Sequence, residues 1–278
     1  MFHVPPWQAP AKTKLNVVLA PRRGPIKSYM NEVSSTVSIV IPLFNEEEGA
    51  SHLIRELIRS VGKWDRLAEV ILVNDGSTDA TVPMVAEAIS GDSRFRLISH
   101  KENRGLGAAI RTGLRAAQGD LVLYTDADLP FNFDLIPQIV AEASDTTVVA
   151  GYRSNRGEGL RRALLTLGYN SLVRLALGIR VHDVNFACKI LPRRFVRECS
   201  LNSEGSFIDA EILLEAKRLG LEIAEVPLRY IPRETGRSTL SRPMVVVRIL
   251  RELISYSLRS QTPVITEQLT IGPELRQP

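Results

Sequence analysis

The stretch YTDADLP, Tyr124 to Pro130, sets two carboxylates, Asp126 and Asp128, one residue apart where an apolar run ends. On an extended chain, residues two apart point to the same side, so both carboxylates can face one cation. Hard divalent cations take oxygen ligands, commonly one or two carboxylates with substrate phosphates completing the shell. A cation held in this way stabilises charge on a departing diphosphate. An isolated Asp-x-Asp is more often a solvated turn, so the neighbouring segments have to decide. Two further polar clusters, IPLFNEEE and VNDGSTD, also follow apolar runs. In the second, Asp75 and Gly76 suit a tight turn, and Ser77, Thr78 and Asp79 are natural helix caps. Asp75 could equally accept hydrogen bonds from a base or ribose. SFIDAEILLEA adds Asp209 and Glu211, either first-turn acids favoured by a helix dipole or, for Asp209, a general base.

These clusters need elements to carry them. Val37 to Ile41, β-branched almost throughout, and Val70 to Val73, Phe95 to Ile98, Leu121 to Tyr124 and Thr147 to Ala150 are short, mostly apolar runs that predict strands. Helical spacing is expected from about Glu46 (Leu53, Ile54, Leu57, Ile58, Val61), over 80–89 and over 105–117. Alternation of strands buried on both faces with helices predicts an α/β fold, a mostly parallel sheet covered by helices. Ligands bind such sheets at the carboxyl ends of the strands, so the three acidic loops are expected along one edge. Beyond Gly151 the pattern predicts basic helices over 160–177 and 243–258, another helix over 209–219, and an extended segment over 222–230. The second basic helix carries Arg248, Arg251, Glu252, Ser255 and Arg259 as one polar stripe.

Composition narrows the classes. The chain has 278 residues and a formal net charge of +4. Residues 1–35 hold Lys12, Lys14, Arg22, Arg23 and Lys27 against Glu32, which is the whole excess. A basic arm on a neutral body argues against a nucleic-acid groove. The same 35 residues contain Pro5, Pro6, Pro10, Pro21 and Pro25 without periodicity, so 1–35 reads as a flexible arm, 36–260 as one domain and 261–278 as a tail. Cys188 and Cys199 are the only cysteines and the four histidines are scattered, which gives neither a disulfide scaffold nor zinc spacing, and a reducing cytosol is the default compartment. No apolar run reaches the roughly 18 residues that span a bilayer.

IPLFNEEE, VNDGSTD, NRGLGAAIRTGL and DADLP, in that order, resemble the family 2 inverting glycosyltransferases of GT-A fold, nearest to the dolichol-phosphate mannose synthase and polyprenyl-phosphate branch. The resemblance runs from about Val37 to Ser257. It implies a Rossmann-like GT-A domain with C-terminal amphipathic helices. It also implies that Pro42, Phe44, Glu46 and Asp75 hold the nucleotide, and that Asp126 and Asp128 bind Mg²⁺ or Mn²⁺. Ala127 would meet the sugar-nucleotide through its backbone, and Arg153 would lie beside the donor phosphates. RALLTLGYN implies acceptor-phosphate contacts at Arg162 and Thr166, and RETGRST implies a loop over the donor with Arg233 and Ser238. Departures are Asn74 for a frequent aspartate, Pro130 for glutamine or serine, Phe186-Ala187-Cys188 for small-Gly-Phe, and Thr239 for lysine. The C-terminal transmembrane hairpin of many relatives is absent.

The expected activity is transfer of a hexose, with inversion, from a UDP- or GDP-linked donor to a polyprenyl phosphate. A phosphate acceptor is already anionic and needs positioning rather than a base. Asp128, Arg153 and Asp209 are the candidate catalytic residues. Two alternatives stand beside it: a hydroxyl acceptor with Asp209 as base, and a non-catalytic sugar-nucleotide or membrane-binding module. The basic amphipathic helices suit peripheral contact with a membrane carrying the lipid phosphate.

Overall fold

The computed structural model describes residues 35–154, 178, 181–231 and 256. Its centre is a sheet of seven strands: β1 (Val37–Leu43), β2 (Leu67–Asn74), β3 (Phe95–Ser99), β4 (Leu121–Thr125), β5 (Thr147–Arg153), β6 (Cys188–Pro192) and β7 (Glu222–Leu228). Their order is β3-β2-β1-β4-β6-β5-β7. β1 pairs in parallel with β2 and β4, β2 with β3, and β5 with β7, while β6 runs antiparallel to both β4 and β5. The other six strands therefore end on one edge, and β6 begins there.

The helices are α1 (Ala50–Val61), α2 (Thr81–Ala88), α3 (Leu106–Ala116), α4 (Ile136–Val140, after a 3₁₀ turn at Phe133–Leu135), α5 (Arg193–Glu198) and α6 (Ile208–Arg218). Every residue of β1 and β4 is buried because helices cover both faces. α1 buries Leu53, Ile54, Leu57 and Val61 against one face; Ile58, expected in the same stripe, is 42% exposed. Ile110 and Leu114 of α3 pack with Val40, Ile71 and Val73 on the other face. Gly113 permits that approach, since a Cβ there would lie 2.2 Å from Val40 Cγ1.

Two expectations shift. The first helix begins at Ala50 rather than near Glu46, because the Glu46 carbonyl accepts from the Gly49 and Ala50 amides in a preceding turn. β6 had no counterpart among the expected strands. It is five residues long and buries Lys189, a residue type that marks surfaces. The expected helices over 160–177 and 243–258, the arm, and Arg162, Thr166, Arg233, Ser238 and Thr239 lie outside the described residues. Among the described residues no helix is long and apolar enough to cross a membrane.

Candidate functional site

The loops after β1 and β2 are tied together by side chains bonding across to backbone. Ser77 Oγ accepts from the Asn45 amide at 3.0 Å, Thr81 Oγ1 from Glu46 at 2.8 Å, and Asn45 Oδ1 from Thr78 at 2.9 Å. Asn45 takes a φ of +54°, a conformation asparagine tolerates better than most residues. This lacing fixes the place of Glu46 and leaves the Phe44 ring 44% exposed at the strand edge, while Pro42 stays buried.

Asp75 is 3% exposed, and its carboxylate holds the turn that leads into α3. Oδ1 accepts from the Arg104 amide at 2.9 Å and Oδ2 from the Gly105 amide at 2.8 Å. His100 Nδ1 lies 2.7 Å from Oδ1, and its Nε2 lies 2.9 Å from Thr112 Oγ1. Two backbone amides and an imidazole thus satisfy a carboxylate whose burial would otherwise be costly. Gly105 adopts a φ of +93°, and the Gly107 amide donates to the Glu204 carbonyl at 2.8 Å. The glycines of NRGLG therefore seat the loop before α6 on the start of α3.

β4 ends at Thr125, and the chain turns through Ala127 and Asp128. Leu129 takes a φ of +53°, which costs a residue with a Cβ about 1–2 kcal/mol. Pairing holds the turn: Pro130 O accepts from the Ile231 amide at 2.9 Å, and Thr125 Oγ1 donates to Ala187 O at 2.9 Å. The strand pleat thus aligns Tyr124 with Asp126, whereas a turn, not an extended chain, brings Asp128 round. The fully buried Tyr124 hydroxyl donates to Asp126 Oδ1 at 3.3 Å. Burial first, then the fields of Asp126, Asp209 and Asp128, push that hydroxyl well above the ordinary tyrosine range, so it remains a donor.

Arg153, at the end of β5, is held by Asp183 through Nε at 2.6 Å and a second nitrogen at 3.2 Å. Its guanidinium carbon sits 5.5 Å from the Tyr230 ring centroid. Fork-like pairing and an aromatic neighbour fix the guanidinium plane at the edge where the acidic loops end. Behind the turn, Lys189 Nζ donates to Asp209 Oδ1 and to Phe186 O at 3.1 Å. Lys189 is 1% exposed and Asp209 4%. Burial pushes the Asp209 carboxyl up, and the Lys189 charge pulls it back down. Glu211 is fully buried and accepts from the Asn202 and Ser203 amides, which holds the loop that seats α3.

Pro42, Phe44, Glu46, Asp75, Asp126, Ala127, Asp128 and Arg153 therefore all lie at one sheet edge, with Asp209 behind it. Residues that the motifs did not single out are Tyr124, His100 and Tyr230. Tyr124 had a signal, since it stands two residues before Asp126 on the same strand. Among the described residues no group of three or more His, Cys, Asp or Glu could close around a metal ion. The donor set is two half-buried carboxylates at a turn, which fits a hard cation whose remaining ligands come from phosphate and water.

Comparison with known proteins places the chain in a family. Residues 38–200 match the family described as Glycosyl transferase family 2. The chain is 32% identical over 79% of its length to undecaprenyl-phosphate 4-deoxy-4-formamido-L-arabinose transferase of Pseudomonas fluorescens, covering 64% of that protein. It is 29% identical over 83% of its length to dodecaprenyl-phosphate galacturonate synthase of Rhizobium johnstonii, covering 69% of it. The chain thus spans about two thirds of the length of the curated relatives it matches. In fold it is similar to glucosyl-3-phosphoglycerate synthase from Mycobacterium tuberculosis in complex with phosphoglyceric acid (TM-score 0.64, 23% identity, 80% of this chain and 79% of that one). It is also similar to the same enzyme with Mn²⁺, uridine diphosphate and glucosyl-3-phosphoglycerate (TM-score 0.61, 23% identity, 81% and 79% covered). With its acidic loops ranged along the carboxyl edge of a GT-A sheet, the chain belongs to glycosyl transferase family 2.

Proposed function

We propose that the protein transfers a hexose or hexose-derived sugar, with inversion, from a UDP- or GDP-linked donor to a polyprenyl phosphate, with Mg²⁺ or Mn²⁺ at Asp126 and Asp128. The observation that carries the choice of acceptor is the Lys189–Asp209 pair. Asp209, the acid expected as a general base, is buried and already bonded to an ammonium. A hydroxyl acceptor would need that acid free to take its proton. A phosphate acceptor needs none, because its oxygen is anionic at neutral pH. The two named relatives differ in their sugar and share a polyprenyl-phosphate name, which supports the acceptor class more than any one sugar.

In this reading an acceptor phosphate oxygen forms a bond to the anomeric carbon on the face opposite the leaving group. The bond from that carbon to the donor β-phosphate breaks, and its electron pair leaves with the nucleoside diphosphate. A bound divalent cation would neutralise the charge that develops on that diphosphate. Arg153, oriented by Asp183, faces the donor phosphates. Phe44 offers an aromatic face to the base, beside Pro42 and Glu46. Asp75 acts by keeping the start of α3 against the same edge. Arg162 and Thr166 are assigned to the acceptor phosphate, Arg233 and Ser238 to closure over the donor, and Ala127 to a backbone contact with the sugar-nucleotide. The protein works at the cytoplasmic face of a membrane, which it meets peripherally.

The test removes the pair without leaving a buried charge. Lys189→Met with Asp209→Leu should keep turnover with a short polyprenyl phosphate at saturating Mn²⁺ within about tenfold. If Asp209 were the base, loss would be roughly 10²–10⁴-fold.

A further inference from the structure

We propose that Tyr124 is a positioning residue for the carboxylate of Asp126, with Lys189 strengthening its hydroxyl as a donor. The inference rests on the reading of Asp126 and Asp128 as a cation site and assigns to that site a support outside the acidic loop.

Three observations carry it. Tyr124 is the fourth residue of β4, and the pleat puts its side chain on the same side as that of Asp126. Its ring is 0% exposed, packed with Val40, Val122 and Leu191, and a phenylalanine would fill that space without a polar atom. A buried hydroxyl costs stability unless it is bonded, and the bond here goes to Asp126 Oδ1. Finally, Lys189 Nζ lies 5.7 Å from the Tyr124 ring centroid, within cation–π range. A cation over the ring draws electron density from it and makes the phenol a better hydrogen-bond donor. Lys189 cannot swing away, because Asp209 and the Phe186 carbonyl hold it.

Asp126 is the first residue beyond the strand, where the backbone no longer dictates side-chain direction. A donor from inside the sheet restricts rotation of the carboxylate before any cation arrives. Partners of this kind typically change metal affinity by about 10–100-fold when removed. The Tyr124→Phe change keeps the ring, so a packing role alone predicts no change in cation affinity.

The experiment titrates the full chain with Mn²⁺ alone and reads free Mn²⁺ by electron paramagnetic resonance. Thermal unfolding is measured in parallel. Tyr124→Phe should bind Mn²⁺ roughly ten- to a hundredfold more weakly. Lys189→Met with Asp209→Leu should weaken binding by a smaller factor, since the hydroxyl remains but the cation over the ring is gone. Equal Mn²⁺ affinity in Tyr124→Phe and parent overturns the proposal. Should Tyr124→Phe fail to fold, parental affinity in the double variant overturns it instead. A parent protein that binds no Mn²⁺, or an Asp128→Ala variant that binds as tightly as the parent, overturns the cation-site reading itself, which separates the two failures.

Discussion

Breaking the Lys189–Asp209 pair one partner at a time should cost far more than removing it whole. Asp209→Ala leaves an ammonium that is 1% exposed with the Phe186 carbonyl as its remaining bonded partner. Stranding one charge of a buried pair costs about 3–5 kcal/mol. For a domain of this size, 1 kcal/mol moves the melting temperature by roughly 2–4 °C, so the expected fall is about 6–20 °C. Lys189→Met strands the carboxylate instead, and the pH dependence follows from burial. Without Lys189, burial and then the Asp183 charge both push Asp209 up, and its folded pKa lies above the unfolded one. Folded molecules then hold the proton more tightly, so stability is greatest below the unfolded pKa and is lost as pH rises through the folded value. The deficit of Lys189→Met should therefore be smaller at pH 5 than at pH 8. Lys189→Met with Asp209→Leu replaces the pair by apolar groups of similar size and should come close to the parent. Urea unfolding followed by circular dichroism at both pH values measures all four proteins. A double variant as unstable as the sum of the two single changes would refute the reasoning, because it would mean the partners do not depend on each other.

Other outcomes follow from the same structure. Gly113→Ala gains about 1 kcal/mol of helix propensity but drives a Cβ to 2.2 Å from Val40 Cγ1, so urea midpoints should fall. Phe44→Ala removes a ring that is 44% exposed, so the melting temperature should hold while the donor KM rises, by roughly 5- to 150-fold if stacking is worth about 1–3 kcal/mol. Burial pushes the Cys188 thiol up to about 12 and the Cys199 thiol up to about 11. Both therefore stay protonated at pH 8, and mass spectrometry should find neither alkylated by iodoacetamide until urea unfolds the protein.

What could be read in advance was what short-range pattern determines. Short apolar runs marked β1, β2 and β4, and the rule for parallel sheets put IPLFNEEE, VNDGSTD and DADLP on one edge. Contacts across long stretches of sequence were not legible. Nothing near Asp75 says that its carboxylate holds the Arg104 and Gly105 amides ahead of α3, about thirty residues away in the chain. Lys189 hid β6, because its charge is tolerated in the core only through Asp209, twenty residues on. The extended geometry assumed for Asp126 and Asp128 also gave way, as Leu129 at φ +53° closes a turn that apolar periodicity does not encode.

The most direct measurement of the whole account is transfer of radiolabelled sugar from a panel of UDP- and GDP-linked donors. Each donor is offered a short polyprenyl phosphate and, separately, the matching polyprenol. The account predicts label on the phosphate acceptor alone, dependent on Mn²⁺ or Mg²⁺ and abolished by EDTA and by Asp128→Ala. Equal transfer to the polyprenol, or transfer that survives both EDTA and Asp128→Ala, would contradict it.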